Sequence, residues 1–81
     1  MRARQLIGGA VFPPDVLNVL FAAFDDAWHE VMGDVSNRAG AIDAARLRLA
    51  TIVLSLAKSG PIEHARIKQA AVDAFRAHYI P

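Results

Sequence analysis

Pro13-Pro-Asp-Val-Leu-Asn-Val-Leu-Phe-Ala-Ala-Phe-Asp-Asp-Ala-Trp-His-Glu-Val31 is the stretch on which the fold turns. Within it Leu17, Leu20, Phe21, Phe24, Ala27, Trp28 and Val31 recur at steps of three and four, which lays them along one broad face of a helix. The proline pair marks the start. A proline in the first turn lacks only an N–H that has no helical partner, and Asp15 suits the positive end of the helix dipole. Gly33-Asp34 marks the end, so the spacing predicts a helix over about 14–32.

Toward the C-terminus, the turn-rich Val35-Ser-Asn-Arg-Ala-Gly40 leads into a second helix expected over about 41–58. Its main stripe is Ile42, Ala45, Leu49, Ile52, Val53 and Leu56, and Leu47, Ala50, Leu54 and Ala57 widen the apolar character beyond that stripe. Only a narrow line of Ala44, Arg48, Thr51, Ser55 and Lys58 reads as solvated, a pattern typical of a central or doubly covered helix. Ser59-Gly60-Pro61 then breaks the chain, with Gly60 suited to a left-handed cap and Pro61 to the first position of a third helix over about 61–78. Ile67, Ala71, Ala74 and Phe75 form its inner face, with His64 and His78 along the same side. The short loop predicts that the second and third helices lie antiparallel or cross as an angled pair.

Residues 1–12 read as an extended N-terminal arm, broken by Gly8-Gly9 and anchored by Val11 and Phe12. The expectation is an all-α, three-helix bundle-like domain over 13–81 carrying that arm. A chain of 81 residues makes one domain. It buries roughly 60–65% of the surface its unfolded form exposes, so the core is thin. A composition 54% hydrophobic and 21% charged excludes disorder. The absence of cysteine removes disulfides and thiolate chemistry and fits a cytoplasmic protein. The longest apolar zone, Leu47 to Ala57, is interrupted by Arg48, Thr51 and Ser55 and falls short of the roughly twenty residues of a membrane span. The N-terminal apolar patch is too short for a secretory signal, so no membrane association is expected.

Charge is divided along the chain. Asp15, Asp25, Asp26, Glu30 and Asp34 occur in a segment without lysine or arginine. From Asn37 onward, Arg38, Arg46, Arg48, Lys58, Arg66, Lys68 and Arg76 outnumber Asp43, Glu63 and Asp73.

Three sets of residues invite a chemical reading. Asp25 and His29 are one helical turn apart and could share a metal or a proton, but a metal site needs three or four converging ligands, and Asp26 and Glu30 point elsewhere on the helix. The acidic cluster is better read as a solvated face that docks a basic protein partner. His64 and His78, about 21 Å apart along one helix, cannot share a ligand and read as core-edge histidines bonded to a carbonyl or carboxylate. Trp28 with Phe21, Phe24 and Phe75 has the look of a ligand-lining set, but in a small bundle such rings are core. No serine has a glycine-framed elbow, so no enzyme, metal or cofactor is expected.

The segment Leu56 to Gln69 permits a helix-turn-helix reading in which Arg66, Lys68, Gln69 and Arg76 meet nucleic acid. Those side chains do not share one face, and Glu63 and Asp73 interrupt them, which disfavours it as anything but the alternative. The leading expectation is a protein–protein interaction module. Val19, Ala22 and Ala23 lie near the back of the first helix, and with the wide apolar girth of the second they exceed what one three-helix core covers. The expected interface is Val19, Ala22, Ala23, Asp26, Glu30, Leu47 and Leu54, and the expected assembly is a homodimer.

The runs Phe12-Pro-Pro-Asp-Val-Leu17, Ala23-Phe-Asp-Asp-Ala-Trp28, Ala45-Arg-Leu-Arg-Leu-Ala-Thr-Ile-Val-Leu-Ser-Leu-Ala-Lys-Ser-Gly60 and Ala70-Ala-Val72 resemble small uncharacterised all-helical proteins of alphaproteobacteria. The resemblance spans most of residues 12–76 and rests on core and turn residues. It implies a bacterial, cytoplasmic protein and transfers no activity.

Overall fold

A computed structural model describes residues 7–9, 12–35 and 40–79, without the side chains of Asp34, His78 and Tyr79. Among the described residues three long helices make up the bundle: α1 (Pro14–Val31), α2 (Ala41–Ser59) and α3 (His64–Tyr79). No strand occurs among the described residues. The chain is an all-α three-helix domain. Val11 and His78, singled out in the sequence as an anchor and a core-edge group, lie outside the described residues or side chains.

The start of α1 follows the expected logic. Pro13 is extended (φ −61°, ψ 155°), and its carbonyl accepts the Leu17 N–H at 2.9 Å. At the other end the Met32 N–H still reaches the Trp28 carbonyl, and the chain then tightens into a single 3₁₀ turn, Met32–Asp34. Helix α2 is entered through Gly40 at φ 83°, and the Gly40 carbonyl accepts the Ala44 N–H at 3.0 Å. A side chain at Gly40 would meet no neighbour among the described residues, and the left-handed backbone there favours glycine.

The junction between α2 and α3 departs from expectation twice. Gly60 is extended (φ −178°, ψ −167°), not left-handed, and α3 begins at His64, not at Pro61. The two are linked. A residue preceding proline is pushed toward extended backbone, so the chain leaves α2 straight and runs through Pro61 to Glu63 before it turns again. The Glu63 carbonyl then accepts the Ile67 N–H at 2.9 Å, and Ile62 packs against the core just ahead of the helix. Glycine at 60 has a spatial reason. A Cβ there would lie 2.1 Å from Arg66 Nη2, because the guanidinium occupies that space.

The core is a single cluster. Helix α1 supplies Leu20, Ala23, Phe24, Ala27, Trp28 and Val31; α2 supplies Ala45, Leu49, Ala50, Val53 and Ala57; α3 supplies Ile67, Ala71, Val72 and Phe75. No polar or charged residue among those described is buried in it. Helix α1 packs most extensively on α3. Ile7, within the segment expected as an arm, is fully buried against the same cluster, and Ile7-Gly8 is helical. Ile42, expected on the inner stripe of α2, is 43% exposed because it sits in the first turn, beyond the reach of the packed helices.

Two substitutions test this packing. Trp28→Ala removes a ring only 8% exposed and is expected to cost about 3–5 kcal/mol in chemical denaturation. A loss below about 1 kcal/mol would place the ring at the periphery. Gly40→Ala is expected to cost about 1–2 kcal/mol through left-handed strain alone, and an unchanged denaturation midpoint would argue against that backbone.

Candidate interaction surface

The acidic side of α1 is turned inward on the bundle's own third helix. Asp26 and Glu30 lie one turn apart on α1, and His64 and Lys68 are spaced identically on α3. His64 Nε2 lies 2.7 Å from Asp26 Oδ2, and Lys68 Nζ donates to Glu30 Oε1. Arg76 Nη2 also donates to the Glu30 main-chain carbonyl at 3.3 Å. The split between an acidic first segment and a basic later one is thus matched within one chain. His64, expected at the core's edge, is instead exposed, and it meets a carboxylate that sequence spacing could not identify.

Asp25 and His29 are arranged as a helix contact and not as a ligand pair. His29 Nδ1–H donates to the Asp25 main-chain carbonyl at 2.7 Å. Among the described residues no group of three histidine or carboxylate side chains is placed to hold a metal. Trp28, Phe24 and Phe75 belong to the core, with Phe21 packed at its edge. The Arg46 guanidinium stacks over this set, 5.0 Å from the Trp28 ring and 5.4 Å from Phe24. Arg46 Nε is buried without a hydrogen-bond partner among the described residues, and the cation–π contact partly offsets that cost. Arg46 was legible only in part. It lies four residues after Ile42 and three before Leu49, the spacing of the inner stripe, but a charge there reads as solvated.

The side chains needed for nucleic-acid contact are engaged elsewhere. Lys68 and Arg76 reach Glu30, Gln69 Nε2 donates to Asp73 Oδ1 at 3.0 Å, and the Arg66 guanidinium lies against Gly60.

Of the expected interface residues, the structure divides the set. Ala23 is fully buried and is corrected to a core residue. It falls three residues after Leu20 and four before Ala27, which places it on the main stripe. Asp26 and Glu30 are exposed but occupied by α3. Val19 is half-buried, and Ala22 is exposed and small. Leu47 is 37% exposed, and Leu54, two turns further on, is partly buried at the core's edge.

Leu47 belongs to a shallow, open depression on the outer face of α2, lined by Ala44, Leu47, Arg48, Thr51 and Ile52. Its surface is almost wholly apolar. Thr51 Oγ1 donates to the Leu47 carbonyl at 3.0 Å, which satisfies the hydroxyl inside the helix and leaves Thr51 to act as an apolar residue. Three residues of the line expected to be merely solvated, Ala44, Arg48 and Thr51, therefore border an apolar depression together with Leu47 and Ile52.

No described helix is long and apolar enough to cross a membrane. Compared with protein-family models, curated proteins and solved structures, the chain has no significant match in any of the three.

The α1–α3 tie is checked by a double-mutant cycle on Glu30→Gln and Lys68→Met. The pair is partly exposed, so the coupling expected is about 0.2–1 kcal/mol, shrinking as salt is raised. No coupling at low salt would show that the two helices are held by packing alone.

Proposed function

We propose that this chain is a non-catalytic protein–protein interaction module that self-associates, chiefly through the outer face of α2. The observation that carries the reading is the apolar depression at Ala44, Leu47, Arg48, Thr51 and Ile52 on a helix whose opposite face is already spent on the core. A contiguous apolar face on a small domain marks an interface. Assigning α1 a lesser part follows from its charges, since Asp26 and Glu30 are taken up by His64 and Lys68. A bacterial cytoplasmic setting is part of the same proposal and rests on the resemblance carried by the sequence.

Light scattering at micromolar concentration is expected to give twice the 8.8 kDa chain mass. Leu47→Glu is expected to convert the particle to a monomer with unchanged helicity, because a carboxylate cannot be desolvated there without a partner. Ala22→Glu, on exposed α1, is expected to leave the mass unchanged. A wild-type monomer that persists on concentrating removes the proposal.

A further inference from the structure

The ends of α2 carry opposite charges on the flank that bears the two leucines. Asp43, Leu47, Leu54 and Lys58 follow one another at steps of four, seven and four, so they form a nearly straight line down the helix. Asp43 is in the first turn and Lys58 in the last, and both are exposed. They are separated by about 22 Å along the axis at 1.5 Å per residue.

We propose that the occupant of this face is a second copy of the chain, its α2 running antiparallel about a twofold axis between residues 50 and 51. The inference rests on the self-association reading above and specifies its geometry. A twofold axis across an antiparallel helix pair brings the same flank of each helix together, and it places each residue opposite the one equally far on the other side of the axis. With the axis there, Asp43 faces Lys58 of the second copy, and Leu47 faces its Leu54. Each contact occurs twice. The charge pattern is thus complementary to itself only when reversed end to end. A parallel pairing would set Asp43 beside Asp43 and Lys58 beside Lys58, two like-charge contacts. Ala44 and Thr51 face the same side, and their small size allows the helix backbones to approach.

The test uses two single charge reversals, Asp43→Lys and Lys58→Asp, studied apart and mixed by sedimentation at low salt. Each variant alone replaces two attractive contacts with two repulsive ones and is expected to dimerise roughly tenfold more weakly or worse. Mixed in equal amounts, the two variants regain both attractive contacts in a heterodimer, which is expected to form with near wild-type affinity. That rescue cannot arise from any effect of either substitution on its own helix. The chain has no cysteine, so Asp43→Cys and Lys58→Cys give an independent readout. Their mixture is expected to cross-link on oxidation while neither does so alone, because equivalent positions would be too far apart for a disulfide. Cross-linking of Asp43→Cys with itself, or wild-type dimerisation by both charge variants alone, overturns the antiparallel register. If Leu47→Glu still yields a monomer in that case, self-association stands and only its orientation falls. A wild-type monomer at every concentration removes both.

Discussion

Three helices of this length make a stable core only by coming close together, and alanine is what lets them. Ala23 and Ala27 on α1, Ala45, Ala50 and Ala57 on α2, and Ala71 on α3 are all buried. Each contributes little apolar area itself but brings a neighbouring backbone within reach of the few large side chains. Those are Phe24, Trp28 and Phe75, with Leu20, Leu49 and Ile67 filling between them. Aromatic volume set among small residues achieves the interdigitation that a short chain cannot obtain from numbers. Among the described residues no polar or charged group is buried in this core, and the charged Arg46 at its border lies over the Trp28 and Phe24 rings.

Two polar contacts then tie α1 to α3 outside the core. The two α1 carboxylates and their α3 partners share a one-turn spacing, so the His64–Asp26 contact and the Lys68–Glu30 ion pair form together only in one register. Exposed pairs of this kind add little stability, but they penalise a slipped alignment, where a carboxylate would face another apolar or acidic neighbour. This pairing engages Asp26 and Glu30, two of the four carboxylates of α1.

Much of this was legible in the residue order. The steps of three and four in 17–31 gave the inner face of α1, and the prolines at 13 and 14 gave its start. Ala23 was misplaced because alanine is ambiguous: a small apolar residue fits either side of a helix, and only its spacing from Leu20 and Ala27 decides. The beginning of α3 was misplaced because Pro61 suits a first helical turn in general, whereas here Gly60 ahead of it runs extended and carries the chain past. The pairing of Asp26 with His64 and Glu30 with Lys68 could not be read at all, because it depends on which helix faces which. The apolar depression on α2 was half legible: Leu47 and Ile52 read as apolar, whereas Ala44, Arg48 and Thr51 read as solvated, and the Thr51 hydroxyl is consumed by its own helix.

Arg46 over Trp28 has a practical corollary. The chain contains one tryptophan, and that ring is nearly enclosed, with a guanidinium at 5.0 Å from its centre. Its emission therefore reports on the core and on the contact with Arg46 of α2. Withdrawal of Arg46 from the ring alters its surroundings, so the domain carries a built-in optical gauge of how its second helix is seated.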